Sequence, residues 1–211
     1  ADCGAPPPQG HAGLLSFEFG QGRERIIVNC GAVTGAAGDW RMACACTAAH
    51  STLTIDDTNA CEILESGGIV SAARVSAHRF EQDSAHYLDM SHDAYQPLFG
   101  ISYQRRLSLN DTGDELRGVE ILTGLPGRNF ELRWHLHPLL DVSLAVSGQT
   151  ALLRTPSGSG WRLRTEGRNI SLEPSIYCGS GAPRRSLQLK IHGVTGTSTT
   201  EIAWSLQREK K

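Results

Sequence analysis

The side chains best able to move protons or hold a metal near neutral pH are eight histidines: His11, His50, His78, His86, His92, His135, His137 and His192. In Trp134-His135-Leu136-His137-Pro138 two of them stand two residues apart, a spacing that on a strand directs both to the same side, toward one ligand or one cleft. They are candidate substrate contacts, although two imidazoles make at most half a zinc site. The competing assignment buries Leu132, Trp134 and Leu136 and leaves both histidines on the outer surface, with Pro138 ending the strand. His11, in Gly10-His11-Ala12-Gly13, and His50, in Thr47-Ala48-Ala49-His50-Ser51, each fall just before a strand, where a rigid sheet edge can aim a polar side chain at a ligand.

Cysteine and arginine offer weaker signals. The six cysteines permit fifteen disulfide pairings, but Cys44-Ala45-Cys46 lacks the two-residue gap of a zinc knuckle and no second pair accompanies it, so they read mainly as small buried side chains. Of 20 basic residues only Lys190, Lys210 and Lys211 are lysine, so arginine, suited to forked recognition of carboxylate, sulfate or phosphate, dominates. Arg184-Arg185 follows Gly179-Ser180-Gly181-Ala182-Pro183, which reads as a loop able to reach a polyanion. Arg105 and Arg106 must face opposite sides of a strand, with exposed ion pairing as their expected role. Tyr87, Tyr95, Tyr103 and Tyr177 read as packing residues with a solvated hydroxyl.

The elements that position these groups are short alternating or β-branched stretches. They run 14–19, 24–29, 51–56, 86–91, 101–109, 116–122, 130–137, 142–146, 151–155, 161–165, 170–173, 187–192 and 200–207, with turn sequences such as Asn110-Asp111-Thr112-Gly113-Asp114 between them. About thirteen strands are too many for one open sheet. The expectation is all-β, a large antiparallel two-sheet sandwich with little or no helix. The glycine- and alanine-rich stretch 31–49 is expected as a loop with one helical turn. No linker or fixed repeat divides the chain, so residues 1–211 read as one domain.

A formal net charge of −2 argues against nucleic acid as a partner. No apolar run reaches the length of a membrane span. Ala1-Asp2-Cys3-Gly4-Ala5-Pro6-Pro7-Pro8 has neither the charged nor the apolar region of a signal peptide.

Five ordered motifs carry a family resemblance: Asp2-Cys3-Gly4; Gly10-His11-Ala12 followed by Leu15-Ser16-Phe17-Glu18; Ile27-Val28-Asn29-Cys30-Gly31; Thr47-Ala48-Ala49-His50-Ser51-Thr52-Leu53; and Phe130 to Pro138. Across nearly its whole length the chain resembles the carboxyl-terminal part of the heparinase II/III-like polysaccharide lyases, which place a helical toroid first and a large β-sandwich second. The resemblance implies the sandwich half only, with the helical domain absent, and an acidic polysaccharide as partner. It implies β-elimination: a uronate carboxylate is neutralised, a base removes the proton α to it, and the glycosidic oxygen leaves from the adjacent carbon. The family's tyrosine and its carboxylate-binding residue come from the helical half, so the isolated 211 residues are expected to be inactive. The periplasm or cell envelope is the expected location.

Residue by residue, the resemblance implies a catalytic role for His11, a place for His50 in the substrate cleft, and a divalent metal, zinc or calcium, on His11, Asn29 and His50; His135, His137 and Arg184 stand as candidate substrate contacts on their spacing and charge. Two departures bear on this. Gln9 stands where members often carry a first histidine, and Asn29 stands where an aspartate ligand is common, so the charge of that ligand is lost. The alternative from another class is a non-catalytic carbohydrate-binding or structural sandwich of the envelope.

Overall fold

A computed structural model describes residues 10–33, 38–65 and 68–209. Asp2, Cys3, Gly4 and Gln9 lie outside the described residues. The chain runs β1 (Phe19–Gln21), β2 (Glu24–Val28), α1 (Gly38–Ala45), a 3-10 turn (Thr47–Ala49), β3 (Leu53–Ile55), β4 (Glu62–Ile63), β5 (Ile69–Val70), β6 (Val75–Gln82), β7 (Ala85–His92), α2 (Gln96–Phe99) and β8 (Ile101–Leu109). It continues β9 (Glu115–Gly124), β10 (Asn129–Leu136), β11 (Asp141–Leu144), β12 (Thr150–Arg154), β13 (Gly160–Thr165), β14 (Ser171–Tyr177), β15 (Arg184–Val194) and β16 (Ser198–Arg208).

The strands form two large antiparallel sheets, as the alternating pattern requires. One has the order β11-β12-β13-β16-β9-β8-β7-β6; the other runs β1-β2-β10-β15-β14, with β3 also on β10. Alternation along β10 directs Phe130, Leu132, Trp134 and Leu136 into the interior, where they meet Tyr103, Leu122, Trp161, Leu163, Trp204 and Leu206 of the opposite sheet. Trp134 and Trp204 cross the gap edge to face, 5.3 Å between centroids. Gly118 lies beneath the Trp204 ring, where a Cβ would overlap the indole. The all-β sandwich is therefore the observed architecture, with α1 and α2 as its helices among the described residues.

Three local expectations are corrected. Residues 14–18 are not strand: Leu15 adopts a left-handed φ of 55° and the first strand begins at Phe19. The strand expected at 187–192 begins earlier, with Arg184, directly after the loop, as the first residue of β15 paired with Tyr177. Arg105 is fully buried instead of surface-paired. It meets the equally buried Glu120 at 2.9 Å, and its Nη1 donates to the carbonyls of Leu15 (2.7 Å) and Ser51 (2.8 Å). Tyr103 Oη and Trp204 Nε1 donate to the same carboxylate at 2.6 and 2.8 Å, so the ion pair is compensated as a buried charge must be.

The feature that positions the histidines is the way β10 is bordered. One side pairs with β15; the other is shared by β2, opposite His135 and Leu136, and β3, opposite Phe130 to Leu132. Between β2 and β3 the ladder has a gap, which Ser51 fills: its Oγ accepts the His135 N–H (2.9 Å) and donates to the Val28 carbonyl (2.7 Å). The described residues 38–50, carrying α1 and the 3-10 turn, are thereby anchored against the outer face of this sheet.

Candidate functional site

His11 and His50 are brought together from 39 residues apart, with His11 Nδ1 3.0 Å from His50 Nε2 and the rings perpendicular. Their protonation follows from the partners. His50 Nδ1 lies 2.8 Å from the Cys46 carbonyl, which can only accept, so this nitrogen carries the ring proton and Nε2 carries a lone pair. His11 Nδ1 must then donate to His50, and the lone pair of neutral His11 resides on Nε2. The result is a relay of three groups, Cys46 carbonyl, His50 and His11, ending on an imidazole nitrogen able to accept a proton.

The surrounding backbone holds this pair rigidly. Ala12 N–H donates to the Ala45 carbonyl (2.8 Å), and Thr47 Oγ1 donates to the Ala12 carbonyl (2.6 Å) while accepting the Ala60 N–H (2.8 Å). Thr52 Oγ1 donates to the Leu14 carbonyl at 2.8 Å. Gly13 is required by contact, since a Cβ there would stand 2.5 Å from His50 Cδ2. Burial holds the His50 imidazolium down to a pKa of about 4, with His11 pushing the same way, while His11 itself is half-buried and lowered by desolvation. Both rings are neutral at pH 7.

Asn29 does not complete a metal site. Its Oδ1 accepts the Ser51 N–H at 2.9 Å and its Nδ2 faces Glu18 Oε1 at 3.4 Å, so it acts as a tie between β2 and the His50 loop. A metal would find two imidazole nitrogens aimed at each other and a neutral amide oxygen already engaged. No cluster of three or more histidine, cysteine, aspartate or glutamate side chains suited to a metal occurs among the described residues. Zinc normally takes four ligands, and calcium six to eight oxygens. The His11, Asn29, His50 set does not fit either ion.

His135 is corrected from a surface position to a buried one. It projects to the side of the sheet away from the sandwich core, as its alternation requires, but the 3-10 turn covers it: Nε2 donates to the Ala48 carbonyl (2.9 Å) and Nδ1 accepts from Ser175 Oγ (2.8 Å). Desolvation puts its pKa at about 4. A ring only 3% exposed with both nitrogens engaged is not placed to touch a polymer, so its role is to anchor the loop bearing His50.

His137, on the same side, is half-buried and packs edge-on against Tyr177, 5.1 Å between centroids. Arg25 Nη1 donates to Tyr177 Oη at 3.0 Å, and burial followed by the charges of Arg25 and Arg184 lowers the His137 pKa. Two of the candidate contacts, His137 and Arg184, thus share a basic patch with Arg25 and Tyr177. Nothing in sequence spacing joins Arg25 to Tyr177; the pairings of β2 with β10 and β14 with β15 do.

The sandwich, with its histidine pair at the sheet border, defines the chain's class: residues 1–205 match the model of the heparinase II/III-like, C-terminal family, and the chain belongs to that family. Among curated proteins it is similar to FtsZ-localized protein C of Caulobacter vibrioides, 32% identical over 234 aligned positions, covering 99% of this chain and 40% of that protein. Among solved structures it resembles a heparinase III at a TM-score of 0.76 and 15% identity, covering 95% of this chain and 30% of that one. It also resembles the heparan sulfate lyase HepC of Pedobacter heparinus, at 0.75 and 13%, covering 93% and 30%. The chain thus spans about two fifths of the curated relative and under a third of the solved enzymes.

Proposed function

We propose that this sandwich forms one wall of a cleft for an acidic, uronate-bearing polysaccharide, and that a helical companion domain supplies the opposite wall needed for β-elimination. The observation that carries the reading is the His11–His50 relay, which leaves a neutral imidazole lone pair on His11 at a partly exposed position. In the elimination a base takes the proton α to the carboxyl group, the C–O bond to the leaving sugar breaks, and its electrons depart with the glycosidic oxygen. His11 is the group in this wall suited to receive or return that proton; Arg25 and Arg184, with the neutral His137 ring beside them, offer charge to the polymer's anionic groups. A periplasmic or envelope location accompanies this reading.

One observation favours a second reading. Similarity to a protein named as FtsZ-localized supports a non-catalytic module that localises with FtsZ, in which the sandwich binds a glycan or a protein without cleaving it. Isothermal titration of the 211-residue chain with heparan sulfate and alginate oligosaccharides, alongside His11→Ala and Arg184→Ala, tests the first reading. It expects binding to the parent chain and at least tenfold weakening in each variant. Absence of binding, or binding indifferent to both substitutions, removes it in favour of the second.

A further inference from the structure

Beside the histidine pair lies a thiol cluster with no part in the scheme above. Cys44 on α1 and Cys178 after β14 come from positions 134 residues apart, yet their sulfurs are 3.9 Å from each other and both residues are 1% exposed. We propose that Cys44 and Cys178 form a reversible disulfide that clamps α1 to the six-stranded sheet and so locks the His11–His50 pair.

Neighbouring thiols are directed elsewhere, which selects this pairing. Cys30 Sγ faces His135 Nδ1 (3.5 Å) and Ser175 Oγ (3.8 Å), and Cys46 Sγ donates back to the Met42 carbonyl (3.3 Å). A disulfide has sulfurs about 2 Å apart, so closure from 3.9 Å asks for an approach of about 2 Å. The backbone on the Cys178 side is already fixed, because its N–H donates to the Cys30 carbonyl at 2.6 Å. An open cavity of about 340 Å³, lined by Cys30, Cys44, Ala48, His135 and Ser175, borders the pair on the Cys44 side, so a disulfide oxidant meets this thiol when α1 opens locally.

The link to the histidines is a matter of chain position. Cys44 immediately precedes the two residues whose carbonyls hold the pair: Ala45, which accepts the Ala12 N–H, and Cys46, which accepts His50 Nδ1–H. Fixing Cys44 to the sheet restrains both acceptors.

The reaction needs a disulfide oxidant such as oxidised glutathione. The Cys44 thiolate attacks one of its sulfurs and expels one glutathione thiolate; Cys178 displaces the second and completes the protein disulfide. The protein loses two electrons and two protons, and the oxidant becomes two thiols. Burial, then the neighbouring Cys178, raises the Cys44 thiol above its ordinary range. Formation should therefore quicken about tenfold per pH unit while the pH stays below that thiol's pKa.

The test is to equilibrate the native chain with oxidised and reduced glutathione at a series of ratios, block the remaining thiols and map the peptides by mass spectrometry. The expected result is a Cys44–Cys178 cross-linked pair lighter by two hydrogens, lost in Cys44→Ser and kept in Cys46→Ser. Amide exchange at Ala12 is expected to slow on oxidation in the parent chain and not in Cys178→Ser. Recovery of Cys44 and Cys178 only as separate peptides, or joined to other cysteines, overturns the proposal. A cross-link that leaves exchange at Ala12 unchanged overturns the lock.

Discussion

His92 offers a quantitative test of how burial controls the histidines. It is 3% exposed, packed edge-on against Tyr95 and Tyr103 at centroid distances of 5.4 and 5.3 Å, and its Nδ1 accepts the Ala94 N–H at 3.2 Å. The ring proton therefore sits on Nε2, which finds no partner among the described residues. Desolvation lowers the pKa from 6.5 to about 4, against an upward pull from Asp93 and with a further downward push from Arg105. Because the folded value lies below the unfolded one, the unfolded chain binds the extra proton; stability is intact above the unfolded pKa and lost as pH falls from there toward 4. At pH 5 the loss relative to pH 7 is on the order of 2 kcal/mol. Replacing His92 by Phe keeps a ring against both tyrosines and cannot take up a proton. At pH 7 it removes an orphaned N–H and an acceptor, each worth about 1 kcal/mol with opposite sign, so stability there should barely move. Urea unfolding at pH 7 and pH 5 is the assay, and the prediction is that His92→Phe gains on the parent by about 2 kcal/mol at pH 5 over any difference at pH 7. An equal difference at both pH values refutes the reasoning.

Two further outcomes follow from particular contacts. Gly13→Ala drives a Cβ into the His50 ring; unfolding by urea should show a loss of about 1 to 3 kcal/mol, with the His50 imidazole resonances displaced. Glu120→Gln leaves the Arg105 guanidinium buried without a counter-charge, and the same assay should show a loss of about 3 to 5 kcal/mol, larger than that of any exposed ion pair such as Arg74–Asp93.

Alternation made much of the sandwich legible. β8 was expected at 101–109 and is found there, because Ile101, Tyr103, Arg105 and Leu107 are the buried set along it. The same rule explains what was hidden. Arg105 occupies a core position, but charge argues for the surface unless the partner is known, and Glu120 lies on the neighbouring strand β9. β6 went unseen because every one of its residues is exposed; it is the terminal strand of the larger sheet, so neither face has a periodic apolar imprint, and Phe80 stacking on Tyr87 is the packing it shows. β14 was read as four residues because Pro174 interrupts it, yet at a sheet edge a proline need not donate.

The candidate site was legible in its members and not in their arrangement. The motif contexts singled out His11 and His50, which meet at 3.0 Å. His135 is covered although strand alternation puts it on an outer face, because alternation knows two layers and the 3-10 turn 47–49 adds a third over the smaller sheet. The expected metal set dissolved for a chemical reason: Asn29 spends its carbonyl oxygen on Ser51, and the histidines satisfy each other.

In the proposed cleft the His11 lone pair, poised by His50, faces an acidic glycan. Imidazole proton–nitrogen correlation spectra of the chain, recorded while heparan sulfate oligosaccharides are added, address it directly. Neutral His11 is expected to be protonated on Nδ1 before addition, with its Nε2 signal moving in step with binding. A His11 ring protonated on Nε2, or signals unmoved at saturation, would contradict it.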